Sequence, residues 1–431
     1  MTIFNTLSFL FTIAAILSYI NYRYIKLQSS IAITLTSMII TISIIFLSSL
    51  GINVGEKEII NAFNEIDFHS LLMNGMLSFL LFAGALNVCI DHLLKEKWEV
   101  IILSIGATII STFIVGGLTF YFLAWLGQSL GFIYCLLFGA LISPTDPIAV
   151  LAVFKKLNAP KSLDTRLAGE SLFNDGIGIV LFVTIYEVAF NQHSATIAAV
   201  TELFLQQALG GILYGALLGY IGYRLIKPID DALQEIFLTM AIATGGYSLA
   251  QMLNISGPLA MVVAGMFIGN RQKMFYMPDP IYKLSNSRKK ARESLAHSHL
   301  VHFWEVIDHA FNAILFLLIG LELIAIERTS FEWLSSLGTI AIVLFARSIS
   351  VAVPMQLMRV CLKRCYEPFA TTIMIWGGLR GGLAIALALA LPLGPEKTLI
   401  VPMTYATVLF SILIQGLSIS PLVNLCKRRS F

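Results

Sequence analysis

Residues 142–150 read ISPTDPIAV and residues 376–384 read WGGLRGGLA, each inside a long apolar stretch. In the first, Pro144 and Pro147 flank Thr145 and Asp146. A proline lacks an N–H and its ring collides with the carbonyl one turn back, so continuous helix is disfavoured there and carbonyls are released. In the second, Gly377, Gly378, Gly381 and Gly382 surround Arg380, and so many glycines weaken a helix while letting another backbone approach closely. Both stretches read as interrupted helices. Non-helical backbone at membrane depth survives only when buried in protein or lining a wet cavity, so the surrounding chain decides what the interruptions mean.

That chain is membranous in composition. Of 431 residues, 57% are hydrophobic and 12% charged, against about 45–50% and 25% in soluble domains, and the mean hydropathy is +0.84. Too few charges are present to cover a water-soluble surface, which excludes a soluble enzyme, a nucleic-acid binder and a disordered chain. Five cysteines scattered through apolar sequence give no disulfide framework. Cys361 and Cys365 resemble half of a metal site, but no second pair accompanies them.

About 20 apolar residues span a bilayer, and thirteen such stretches can be read: 5–22, 30–50, 70–90, 98–126, 129–153, 167–190, 200–225, 232–253, 255–270, 304–326, 333–358, 368–391 and 398–424. The ninth is short, so twelve or fourteen also fit. The first stretch, with no basic residue before it and no small-residue cleavage site after it, reads as a retained helix. The loops after odd-numbered stretches hold 23 of the 28 Lys and Arg residues, and the even loops hold only Lys57, Arg328 and Lys397. The positive-inside rule then predicts odd loops in the cytoplasm, the N-terminus outside and the C-terminus inside. The longest polar segment, 271–302, carries Arg288, Lys289, Lys290, Arg292, His297, His299 and His302. It reads as a solvated linker, or as a pH-sensing or anionic-lipid-binding patch.

Two basic residues remain, Arg347 and Arg380, both inside predicted spans with the carboxylates Asp146, Glu170 and Asp175. Ionisable groups at this depth mark a substrate path, a proton relay or a structural pair. Three carboxylates against two arginines leave one negative charge, which one monovalent cation or one proton would neutralise. In GESLFNDGIGIV, residues 169–180, Glu170 and Asn174 share one helix face and Ser171 and Asp175 an adjacent one. Asp175 has no basic neighbour in sequence, and a low-dielectric setting favours the protonated form of a carboxylic acid, so it is the candidate for reversible protonation. Arg347, in LFARSISVAV (344–353), is the expected partner of Glu170. Glu187, Glu202, Asp308 and Glu322 lie nearer helix ends and read as interfacial. Stretches five and twelve are seven crossings apart and so run in opposite directions, the mark of an inverted repeat with a midplane ion site. LLFAGAL around Gly84 and LLIGLEL around Gly320, also seven stretches apart, add weak support.

At these residues the chain resembles the cation:proton antiporters of the NhaP and NHE type. The resemblance rests on Thr145-Asp146-Pro147, Gly169-Glu170-Ser171 leading into Asn174-Asp175, Ala346-Arg347 and Gly377-Gly378-Leu379-Arg380-Gly381, in that order over nearly the whole chain. It implies an all-α polytopic membrane protein of about thirteen transmembrane helices with an inverted repeat and two crossed, interrupted helices. By resemblance, Asp175 binds Na⁺ or H⁺; Asn174, Ser171, Asp146 and the Thr145 carbonyl complete or support the site; Na⁺ sits at Asp175, Ser171 and Thr145. Glu170 with Arg347 resembles the family's structural ion pair, and Arg380 its helix-crossing charge. The implied domains are interface helices in 1–97 and 232–332, core helices in 98–190 and 333–431, and a linker helix in 191–231, assembled as a homodimer in membrane lipid.

The Asn174-Asp175 pair is similar to the electroneutral branch, which implies one-for-one Na⁺ (or Li⁺) exchange for H⁺, no cofactor, and roles in pH and sodium homeostasis. The short C-terminus suggests a prokaryotic plasma-membrane protein. The alternatives are K⁺/H⁺ exchange, a cation channel, which needs a continuous pore with a selectivity ring, and more distantly an intramembrane hydrolase with Asp146 and Asp175 as a carboxylate dyad. Asp146 between prolines and two arginines without a role count against the hydrolase.

Overall fold

The structure is a computed structural model that describes residues 3–50, 70–157, 160–190, 196–229, 231–271, 287–321, 333–364, 366–367 and 369–429. Glu322, Arg328, Cys365, Lys57 and residues 272–286 lie outside them.

The described elements are helical, in the order α1 (Ile3–Ile20), α2 (Ser29–Ser49), α3 (Leu71–Leu86), α4 (Lys97–Trp125), α5a (Phe132–Ile142), α5b (Ile148–Leu157), α6 (Lys161–Phe190), α7 (Ile197–Ile226), α8 (Ala232–Met252), α9 (Gly257–Gly269), α10 (Ser287–Leu321), α11 (Trp333–Cys361), α12a (Ala370–Trp376), α12b (Gly382–Leu389) and α13 (Pro395–Cys426). In hydrocarbon every backbone polar group must be satisfied within the fold, and a helix does this inside one segment. Among the described residues, seven helices are long and apolar enough to cross a membrane, and α3, α5a and α9 are shorter apolar helices. Each of the thirteen apolar stretches contains helix, and the two expected to be interrupted are the two that divide into halves.

One boundary departs from the sequence expectation. The polar segment 271–302 was predicted as a linker, yet α10 already begins at Ser287. Residues 288–297 hold no Gly or Pro and are rich in Lys, Arg, Ala, Glu and Leu, and such residues let an established helix propagate. The short ninth stretch is as expected: α9 starts at a Ser256 cap, whose hydroxyl accepts from the Leu259 N–H at 3.3 Å, with Pro258 in its first turn.

Two groups of helices emerge from the packing. α4, α5a, α6, α11, α12b and α13 pack among themselves, and α2, α3, α7, α8, α9 and α10 form the other group, with α1 against α10 and α2. The groups meet where α6 touches α7 and α9 and where α10 touches α12b. With lipid as apolar as leucine, close backbone approach drives such packing. A Cβ on Gly116 of α4 would sit 2.9 Å from Leu136 Cα, and one on Gly265 of α9 would sit 2.7 Å from Phe82 O of α3. The weak Gly84–Gly320 correspondence does not extend to surroundings: Gly84 faces Leu172 of α6, whereas Gly320 is pressed against Ser37 of α2.

Candidate ion-exchange site

The site begins with a backbone accounting problem. Between α5a and α5b, Pro147 has no N–H to offer Ser143 O, and the Ile148 N–H turns to Asp146 Oδ1 at 2.9 Å, leaving Pro144 O unserved by helix. Arg380 fills both vacancies, its Nη1 donating to Ser143 O and to Pro144 O, the latter at 3.0 Å. The Asp146 N–H donates to Leu379 O at 2.7 Å, and Asp146 and Leu379 form an antiparallel bridge. The two interrupted helices thus meet backbone to backbone and run oppositely. A Cβ on Gly381 would fall 2.8 Å from both Asp146 Cβ and Asp146 Oδ2, so this approach requires glycine.

The C-terminal carbonyls of α12a are served in a similar way. Met374 O accepts from Arg347 Nη2 at 2.9 Å and Trp376 O from Gln415 Nε2 at 3.2 Å. Gln415 lies in a widened π turn of α13, Ser411–Gln415, where the Ser411 hydroxyl donates to Gln415 Oε1 at 2.7 Å and accepts the Arg380 N–H at 2.9 Å. Cations at helix C-termini are favoured by the dipole, and both arginines occupy that position while deeply buried. Arg347 Nη1 also pairs with Glu170 Oε1.

α6 presents its two polar faces to different neighbours. On one, Glu170 holds Arg347, and one turn on Asn174 Nδ2 donates to Thr145 Oγ1 at 2.8 Å. On the other, the Ser171 hydroxyl donates to Thr145 O, and Asp175 follows one turn later. Thr145, Asp146, Ser171 and Asp175 line a cavity of about 670 Å³ that extends past Lys155, Lys161 and Asp164 toward the basic ends of the helices. Asn174, Glu170, Arg347 and Arg380 stand behind this wall and do not line it. A shallower groove of about 820 Å³ along α7 shares no residue with the site.

Where α5 is interrupted, the cavity wall therefore offers the Asp146 and Asp175 carboxylates, the Thr145 and Ser171 hydroxyls and backbone oxygens. Such hard ligands suit alkali or alkaline-earth cations better than transition metals, and among the described residues no three His, Cys, Asp or Glu side chains group as a metal cluster. No Lys or Arg among the described residues forms an ion pair with Asp175, whereas Glu170 has Arg347. Sequence reasoning missed Asp308 and Asn312 of α10. They line the same cavity, with Asn312 Nδ2 donating to Asp308 Oδ1 at 3.0 Å, so Asp308 is not an interfacial residue. The four-residue spacing of these polar groups in an apolar helix was the available signal. Ser411 and Gln415, also four apart, were missed likewise.

Residues 10–425 match the family described as "Sodium/hydrogen exchanger, transmembrane". The chain belongs to that family. It is 42% identical over 417 residues to the Na⁺/H⁺ antiporter NhaP of Pseudomonas aeruginosa, covering 96% of this chain and 94% of that protein. It is 31% identical over 409 residues to the Na⁺/H⁺ antiporter NhaH of Halobacillus aidingensis, covering 93% of each. Its fold is similar to that of the sodium proton antiporter MjNhaP1 from Methanocaldococcus jannaschii at pH 8, with a TM-score of 0.73, 19% identity and coverage of 99% of both chains. The family is one of polytopic membrane transporters, and the crossed, interrupted helices are those of the antiporter fold.

Proposed function

We propose that this exchanger moves Na⁺, or Li⁺, against H⁺ one for one across the plasma membrane, with both substrates competing for Asp175. A single observation carries the reading: Asp175 faces the cavity without a basic partner among the described residues, while the nearby Glu170 is tied to Arg347. The site then carries its free carboxylate loaded with either Na⁺ or H⁺, and reorienting it empty would strand a charge in low dielectric. Exchange follows from shared occupancy. Asp175, the Ser171 hydroxyl, the Thr145 carbonyl, Asp146 and water supply the oxygens Na⁺ needs, and Asn174 orients Thr145 from behind. No resident cofactor enters this reaction, since Na⁺ and H⁺ are its substrates. Sodium is favoured over potassium because the relatives above are named as Na⁺/H⁺ antiporters.

In this reading the helix group of α4–α6 and α11–α13 moves as a core, within 98–190 and 333–431, against an interface group within 1–97 and 232–332, with 191–231 as linker. The cavity between the groups is the path that opens and closes. Thirteen crossings, the N-terminus outside, the C-terminus in the cytoplasm and a homodimer complete the proposal, and the loop charge distribution supports the orientation.

The test is cation-induced proton movement in everted vesicles that lack other antiporters, with NaCl, LiCl or KCl added to wild type and Asp175→Asn. Dye recovery with NaCl in wild type alone is the expected result. Recovery with KCl only would move the protein to potassium exchange, and undiminished recovery in Asp175→Asn would remove Asp175 from the mechanism.

A further inference from the structure

Of the carboxylates that line the cavity, Asp146, Asp164 and Asp175 belong to the α5–α6 stretch, and only Asp308 belongs to the other helix group. α10 is anchored within that group on both sides of Asp308. One turn before it, the buried Trp304 donates its indole N–H to Thr239 Oγ1 of α8 at 3.0 Å and lies 4.8 Å, centroid to centroid, from the Phe82 ring of α3. Beyond it, Phe316 O and Gly320 O accept from the Thr34 and Thr41 hydroxyls of α2 at 3.4 and 3.0 Å. Between these anchors Asp308, Asn312 and Leu315 recur at spacings of four and three and so form one stripe, and all three line the cavity. Leu315 is where the stripe meets the opposite group: a Cβ on Gly382, at the start of α12b, would fall 2.4 Å from Leu315 Cδ1. Asn312 Nδ2 holds Asp308 Oδ1 at 3.0 Å, and Asp308 lies within charge–charge range of Asp146.

We propose that Asp308 serves the transported cation in the cytoplasm-facing state alone, and so makes the affinity for Na⁺ unequal on the two sides of the membrane. The inference rests on the exchange at Asp175 and on the orientation proposed above. The cavity runs past Lys155 and Lys161 toward the basic helix ends, the side assigned to the cytoplasm, so this arrangement receives cations from there. A cation at Asp175 and Asp146 then shares one wet cavity with the Asp308 charge, whose carboxylate oxygens are hard ligands of the kind alkali cations prefer. When the core reorients, Thr145, Asp146, Ser171 and Asp175 travel with the cation, while Asp308 stays with α2, α3 and α8. The ion keeps its travelling ligands and loses the stationary carboxylate. The result is tighter capture from the cytoplasm and easier release outside. The same difference in affinity biases the sodium-loaded carrier toward the cytoplasm-facing state, since a ligand shifts a conformational equilibrium by its differential affinity for the two states.

The test measures the Na⁺ concentration for half-maximal exchange in vesicles of opposite orientation: everted, where added NaCl meets the cytoplasmic face, and right-side-out, where it meets the outer face. Readings are taken at a pH high enough that this concentration no longer changes with pH, so that protons do not compete. One unit charge beside a wet cavity is worth about fivefold in binding. Asp308→Asn is therefore expected to raise the half-maximal concentration about fivefold in everted vesicles and less than about twofold in right-side-out ones, and Asp308→Glu to recover part of the everted value. Asn312→Ala removes the amide that holds Asp308 but keeps the charge. Loss of that hydrogen bond should give a rise of about twofold, again confined to everted vesicles, a second readout where Asp308→Asn does not fold. An equal rise in both orientations, no rise in everted vesicles, or a rise confined to right-side-out vesicles would overturn the proposal. Asp175→Asn is expected to lose exchange in both orientations. Undiminished transport in that variant would defeat the exchange reading, whereas the Asp308 contrast is read with Asp175 intact, so failure of either idea is visible separately.

Discussion

The Glu170–Arg347 pair makes a prediction that can be worked from its geometry. Glu170 is 1% exposed and Arg347 5% exposed at the side chain, and the only other bond from the Arg347 guanidinium among the described residues is to Met374 O. Glu170→Gln strands the guanidinium, at a cost of about 3–5 kcal/mol. Arg347→Gln strands the carboxylate at a similar cost and also orphans the Met374 carbonyl, which adds about 1–3 kcal/mol. The double variant Glu170→Gln/Arg347→Gln leaves no buried charge, and only the carbonyl cost remains. Removing both partners should therefore be milder than removing either. The assay is the midpoint of thermal aggregation in detergent for the four proteins, with the recovered monodisperse yield as a second measure. Both single variants should melt well below wild type, Arg347→Gln lowest, with the double variant between wild type and the two singles. A double variant that melts at or below the lower single would show that the two residues act independently, and the pairing argument would fall.

Three further outcomes follow from other contacts. Gly381→Ala forces a Cβ against Asp146 and should cut Na⁺-dependent exchange in vesicles at least about fivefold, since such overpacking costs about 1–3 kcal/mol; Gly117→Ala, with open space around it, should stay within about twofold of wild type. Asp308→Asn removes a unit charge from the cavity that Asp175 also lines, an effect on the order of 1 kcal/mol, so KM for Na⁺ should rise about fivefold at constant maximal rate, and an unchanged KM would exclude Asp308 from the cation path. At the basic end, burial raises the Glu367 pKa, but bonds from the Ser162 hydroxyl, from its own backbone and from Arg166, at 2.8 Å, outweigh it and hold the carboxyl below its ordinary value of 4.5. A carboxylate lowered on folding contributes stability above about pH 4.5 that is lost as pH falls through the lower, folded value. Glu367→Gln should accordingly lower the melting midpoint at pH 7 and flatten its fall between pH 5 and 3.

How far these features could be read from sequence depends on whether the physics was local. Pro144 and Pro147 break a helix wherever it packs, and Gly377 to Gly382 weaken one, so both interruptions were legible, as were the helix faces of Glu170, Ser171, Asn174 and Asp175. The destinations of those faces were less so. Asn174 looks like a ligand in sequence because it precedes Asp175, but one residue is 100° of helix, and that turn sends its amide to Thr145 and off the cavity wall. Asp308 failed for the opposite reason. Its distance from the end of a predicted span placed it near the interface, and the span itself was misplaced because α10 starts at Ser287 and not near 304. Ser411 and Gln415 sit in a π turn whose register the periodicity of an ordinary helix does not give.

The buried charges can now be matched one at a time with what opposes them. Arg347 faces Glu170. Arg380 faces the carbonyl end of α5a, and Asp146 faces the N-terminus of α5b through the Ile148 N–H. A helix end carries about half an elementary charge, so breaking α5 creates a negative end for Arg380 and a positive end for Asp146 within a few residues of each other. The interruption thus supplies the counter-charges as well as the space, and it does so with backbone of the helix group proposed to move. Asp308, on α10, belongs to the other helix group and would not travel. Of Asp146, Glu170 and Asp175, Asp175 is then the one with neither an arginine nor a helix end against it among the described residues. One cation or one proton suffices to neutralise it, and the proposed one-for-one exchange rests on that balance.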